Sequence, residues 1–137
     1  MFQPGKTVLV VADHPRLRLS IRKVLQRLGL SATECSDGAA ARDQLSTLVP
    51  DLVLLDLVLP ESSGFELCEF IRQSPRHAQL PLLAMSSRAY PEDRAHAFEV
   101  GADAVLGKPF TDDELRQFIE HLLGGHGSAP LRSAAGR

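Results

Sequence analysis

Asp13, Asp56, Ser86, Ser87 and Lys108 each stand at, or just beyond, the end of a short apolar run. Brought to one place, they form a set of two carboxylates, two hydroxyls and an ammonium. Two carboxylates at close range repel unless a positive charge lies between them, and oxygen-only donors suit a hard cation such as Mg²⁺, which keeps several waters. A metal bridging to a phosphoryl group follows from that donor set. Asp56 would then be a nucleophile for phosphorus, while Mg²⁺, Lys108 and the Ser86 hydroxyl neutralise the charge on the three equatorial oxygens. A carboxylate is already ionised at neutral pH, so the attack needs no general base. Taken singly, each residue has a plainer role: Asp13 as a helix cap, Ser86 as a strand end, Lys108 as a surface lysine. Their joint placement argues for chemistry.

For these residues to meet, the apolar runs must lie side by side and parallel, because ligands of open α/β sheets bind outside the carboxyl ends of the strands. Short apolar runs alternate five times with longer segments of helical period, the pattern of a parallel sheet wrapped by helices. Strands are predicted over Thr7 to Ala12, Leu30 to Cys35, Asp51 to Asp56, Leu80 to Ser86 and Ala104 to Gly107. The first, third and fourth are apolar nearly throughout and should be central. The first helix starts at Pro15, turns Leu17, Ile21, Val24, Leu25 and Leu28 inward, and meets a left-handed cap at Gly29. Its other face carries Arg16, Arg18, Arg22, Lys23 and Arg27, read as a solvated surface or a docking surface. The second helix, Gly38 to Leu48, should bury Ala41, Leu45 and Leu48. The third, Gly64 to Gln73, offers Leu67, Cys68, Phe70 and Ile71. The fourth, Pro91 to Val100, is thinly apolar, with Ala95 and Phe98 as its anchors. The last opens on Thr111 and Glu114 in capping-box spacing, buries Leu115, Phe118, Ile119, Leu122 and Leu123, and stops at Gly124. Residues 1–123 therefore form one domain. Residues 124–137, without period and poor in large apolar side chains, are expected to be a flexible tail or the start of a linker.

Composition sets limits on function. At 137 residues the chain can bury roughly two-thirds of its unfolded surface. A formal charge of −2 argues against direct nucleic acid binding. Cys35 and Cys68 have neither CxxC spacing nor companion histidines, so both read as small buried hydrophobes. No apolar run reaches the length of a membrane span and no signal peptide is legible, so a cytoplasmic location is expected.

Val8-Leu9-Val10-Val11-Ala12-Asp13, Pro50-Asp51-Leu52-Val53-Leu54-Leu55-Asp56-Leu57-Val58-Leu59-Pro60, Gly64-Phe65-Glu66, Gly101-Ala102-Asp103-Ala104 and Lys108-Pro109-Phe110 together resemble response-regulator receiver domains of two-component signalling, over about Lys6 to Leu123. The resemblance implies a flavodoxin-like (βα)5 three-layer sandwich, with a parallel five-stranded sheet in the order 2-1-3-4-5. It implies Asp56 as phosphoacceptor, Asp13 and the backbone carbonyl of Val58 as further Mg²⁺ ligands, Ser86 as the switch hydroxyl, Lys108 as the partner of the phosphoryl group, and a cis Lys108–Pro109 bond. It also implies a sensor histidine kinase as donor, docking near Arg16, Arg18 and Arg22, and a downstream effector protein reached through the fourth helix and fifth strand. A homodimer is compatible with it. The chain would not be an enzyme beyond assisting its own phosphorylation and dephosphorylation.

Two departures from the family pattern matter. Receivers usually carry adjacent acids after the first strand, whereas this chain has Ala12, Asp13 and His14; weaker Mg²⁺ binding is expected, with His14 a poor substitute ligand. The fifth strand often carries an aromatic switch residue where Val105 stands, too short to swing between exposed and buried positions; Tyr90 is a weak candidate for that role. These departures keep a second reading open, a pseudo-receiver that binds proteins without phosphorylation. A hydrolase using Asp56 would need a general acid and a lid, and neither is legible, since Val58 stands two positions after Asp56.

Overall fold

Strands covered on both faces must be apolar at every position, whereas a helix needs only a stripe. The computed structural model, which describes residues 6–87, 91–124 and 131–132, follows that division. Its elements in chain order are β1 (Thr7–Val11), α1 (Pro15–Arg27), β2 (Ser31–Cys35), α2 (Gly38–Leu45), β3 (Leu52–Asp56), β4 (Val58–Leu59), β5 (Ser62–Ser63), α3 (Gly64–Gln73), β6 (Leu82–Ser86), α4 (Pro91–Glu99), β7 (Ala104–Gly107), α5 (Asp112–Leu123) and β8 (Leu131–Arg132). The main sheet is parallel and runs β2-β1-β3-β6-β7-β8. Counted in chain order, its five long strands lie 2-1-3-4-5, as expected, with β1, β3 and β6 inside.

Alternate residues of each strand face opposite helical layers. Leu9, Val11, Val53, Leu55, Ala84 and Val105 pack with residues of α2, α3 and α4, among them Ala41, Leu67 and Ala97. On the other face Val8, Val10, Leu54, Met85 and Leu106 pack with Ile21 and Leu25 of α1 and Leu115 and Ile119 of α5. Gly29 takes a left-handed φ of 79°, closing α1 where the glycine was expected. Thr111 and Glu114 form the expected reciprocal capping box of α5.

Several local expectations need correction. The second helix stops at Leu45, so Leu48 lies beyond it and is half-buried. In α4 the buried residue is Ala97, whereas Ala95 is exposed; a shift of two positions rotates the inward face by about 200°. The β4–β5 hairpin, with Glu61 at φ 57°, carries only a faint sequence signal, being two residues a side. Most of the expected tail, 124–137, lies outside the described residues. Of it, Gly124 caps α5 and Leu131–Arg132 pair with Ala104–Val105, where the outer edge of β7 offers unpaired backbone groups.

Candidate functional site

All five residues of β3 are buried, and its last, Asp56, is 3% exposed. A carboxylate this deep needs partners on both oxygens. Oδ1 accepts from the Val58 amide at 3.1 Å, and Oδ2 lies 2.6 Å from Nζ of Lys108. Lys108 arrives there because the β6–β7 pairing continues past the strand ends: its amide donates to the Ser86 carbonyl at 2.7 Å. Ser86, the last residue of β6, is also buried. The Lys108–Pro109 bond is cis. Beneath Asp56 the chain turns into α3 through Gly64, whose amide donates to the Leu57 carbonyl. The backbone runs so close there that an added Cβ would stand 2.3 Å from the Asp56 carbonyl oxygen.

Asp13 comes from the neighbouring strand. Val11 pairs with Leu55, so the first residues beyond β1 lie beside Asp56 at the same sheet edge. Asp13 is exposed, and Ala12 before it is wholly buried, its amide donating to the Cys35 carbonyl. The alanine therefore adds no donor group. Ser87 is exposed one residue past β6. Asp56, Ser86 and Lys108 are thus joined by direct hydrogen bonds, and Asp13 completes an edge of two acids and one cation.

This donor set fits Mg²⁺. Two carboxylates and the backbone carbonyl of Val58 are hard oxygen ligands, and a small cation that keeps its waters needs no more from the protein. Among the described residues no group of three or more His, Cys, Asp or Glu side chains could hold a metal ion.

The three arginines singled out on α1 separate into two kinds. Arg16 is exposed and lines a cleft of about 700 Å³ with Leu17, Lys108, Pro109 and Phe110. Arg22 instead grips Glu34 of β2 with two hydrogen bonds, 2.5 Å and 2.9 Å. Arg18 contacts the same carboxylate at 3.4 Å and donates to the carbonyls of Ala12, at 2.6 Å, and Asp13, at 3.0 Å. The hydrogen bond from Arg22 is the main reason that the Glu34 carboxyl is held below its ordinary pKa. Glu34 escaped the sequence reading because one acid on an edge strand carries no signal until α1 lies across it. Val105 is fully buried on the face toward α4, and Tyr90 lies outside the described residues.

The comparisons with known proteins agree on one likeness. The family described as the response regulator receiver domain matches residues 8–120. The transcriptional regulatory protein GltR of Pseudomonas aeruginosa is 36% identical over 87% of this chain and 49% of its own length. The chain thus spans about half the length of such curated relatives. A response regulator structure from Chloroflexus aurantiacus superposes with a TM-score of 0.84 at 30% identity, covering 89% of this chain and 99% of that one. The receiver domain of a sensor histidine kinase from Pseudomonas aeruginosa PAO1, with a magnesium ion coordinated in its active site cleft, matches at a TM-score of 0.81 and 28% identity, covering 88% and 98%.

Proposed function

Since the chain belongs to the response regulator receiver domain family, we propose that it takes a phosphoryl group from a sensor histidine kinase onto Asp56 and signals by protein–protein interaction. The observation that carries this reading is the buried Asp56 carboxylate, set at the carboxyl edge of the sheet with Lys108 at 2.6 Å. A carboxylate oxygen attacks phosphorus, the bond to the donor's imidazole nitrogen breaks with its electron pair leaving on that nitrogen, and an acyl phosphate forms on Asp56. Lys108 is close enough to trade its contact with the free carboxylate for one with the new phosphoryl oxygens, and Ser86 supplies a hydroxyl at the same edge. Asp13, Asp56 and the Val58 carbonyl would hold Mg²⁺, which screens the carboxylate from the incoming phosphoryl group. No separate substrate is turned over.

Readout is assigned to α4 and β7, which flank Ser86, with a downstream effector protein as the listener. The working compartment on this reading is the cytoplasm, in keeping with the fact that no helix among the described residues is long and apolar enough to cross a membrane. Arg16 and the cleft beside Lys108 are the surface offered to the kinase.

The full burial of Ala12, where relatives usually place an acid, and of Val105, in place of an aromatic switch, favour a second reading, a pseudo-receiver that binds its partner unphosphorylated. One experiment separates the two. The protein is incubated with acetyl phosphate over a wide Mg²⁺ range, and its intact mass is compared with that of Asp56→Asn. One phosphoryl adduct in the wild type alone supports the receiver; no adduct at any Mg²⁺ concentration, in folded protein, supports the pseudo-receiver.

A further inference from the structure

Basic side chains crowd the wrong end of α1. The helix has no acidic residue in its first turn, and its N-cap, His14, makes no side-chain cap, yet Arg16 and Arg18 stand near the positive end of its dipole. Such placement is unfavourable for the helix alone, so the arginines need another partner. For Arg18 the partner is the turn in front of the helix. Its Nη1 donates to the carbonyls of both Ala12 and Asp13, and its Nε faces Glu34, which Arg22 fixes from the other side. The Ala12 amide is meanwhile held by the Cys35 carbonyl. The two residues that follow β1 are therefore tied to β2 by the backbone bond of Ala12 and to α1 and β2 by one guanidinium.

We propose that Arg18, anchored on Glu34, is a positioning residue that holds the Ala12–Asp13 turn so that the Asp13 carboxylate is preset for a divalent cation. The inference rests on the receiver reading of the site. With Ala12 supplying no carboxylate, Asp13 is the sole acid that β1 brings to the edge, and its orientation bears directly on cation affinity. Groups that orient a metal ligand commonly change affinity when removed, and a planar fork spanning two carbonyls and a carboxylate is not replaced by an ammonium.

The sign of the effect separates positioning from plain electrostatics. Deleting a positive charge beside a cation site should tighten Mg²⁺ binding; deleting a positioning group should weaken it. The test is an Mg²⁺ titration without phosphodonor, followed by the backbone amide shifts of residues at the sheet edge, on wild type, Arg18→Ala, Arg18→Lys and Lys23→Ala, with thermal melts in parallel. Arg18→Ala and the charge-conserving Arg18→Lys should both weaken Mg²⁺ binding roughly tenfold. Lys23→Ala, which removes an exposed charge from the same helix without touching Glu34 or the turn, should stay within about twofold of wild type because surface charges are well screened. Unchanged or tighter binding in Arg18→Ala overturns the proposal. So does a loss of melting temperature without a change in affinity. Adduct formation in the wild type, measured separately, keeps the two claims distinct: a wild type that is phosphorylated while Arg18→Ala binds Mg²⁺ normally refutes only the positioning role, and a wild type that neither binds Mg²⁺ nor accepts phosphate refutes both.

Discussion

Nζ of Lys108 stands 2.6 Å from Oδ2 of Asp56, although 52 residues separate them in the chain. The Asp56 side chain is 4% exposed and the Lys108 side chain 18%, and that asymmetry fixes what each deletion does. Lys108→Ala strands a buried charge whose remaining partner among the described residues is the Val58 amide. Asp56→Asn leaves an ammonium that can turn to water. We expect Lys108→Ala to lower stability by about 2 kcal/mol, less than the ~3–5 of a fully dry pair, and Asp56→Asn to cost less. Urea unfolding of both variants checks the order, and a larger loss from Asp56→Asn would contradict it.

Gly64 is irreplaceable for steric reasons. A methyl there would lie 2.3 Å from the Asp56 carbonyl oxygen and 2.6 Å from Cα of Leu57, both backbone atoms that cannot rotate away. Gly64→Ala should destabilise by roughly 2 kcal/mol. It should also slow adduct formation, because the peptide it displaces carries Asp56. A thermal melt beside an acetyl phosphate time course reads both effects.

Far from the site, Arg72 of α3 donates to the carbonyls of Ala78, Leu80 and Gly101 and pairs with Asp103 at 2.9 Å. One side chain thus ties α3 to the strand entering the sheet as β6 and to the turn entering β7. Arg72→Ala leaves several partly buried acceptors without their donor, and a loss of about 2–3 kcal/mol is expected, with Arg72→Lys recovering only part of it. Chemical denaturation of the pair tests this. Full recovery of wild-type stability in Arg72→Lys would mean that the charge, not the fork, matters.

Burial pushes the Cys68 thiol up to about 12, from an ordinary 9.0. In the folded protein it should resist iodoacetamide at pH 8 and react only when urea opens the core. The linkage has a definite sign. Above about pH 9 the unfolded chain releases a proton that the folded chain keeps, so this group lowers stability as pH rises toward 12. Cys68→Ala should flatten that alkaline limb of the stability profile.

The five long strands, the interior places of β1, β3 and β6, and the helix ends at Gly29 and Thr111 were legible because each rests on local chemistry: apolar runs, a left-handed glycine, a capping box. Strand ends also foretold which polar residues would share an edge, since in a parallel sheet every strand delivers its last residues to the same side. Ala97 in place of Ala95 was not legible, because a helix with one small buried residue has almost no periodic signal. Nor was the hairpin at Val58–Ser63, too short to have a pattern.

The sequence by itself determined the layered α/β architecture and the candidacy of Asp13, Asp56, Ser86 and Lys108, because periodicity and strand termini are properties of neighbouring residues. Only the tertiary structure decided that Lys108 closes on one oxygen of Asp56 while the Val58 amide takes the other, that Ala12 is sealed in the core, and that Arg18 and Arg22 converge on Glu34. Those are contacts between segments distant in the chain. Which long side chain reaches which partner depends on the distance and register between packed elements, and no local pattern of residue types encodes that.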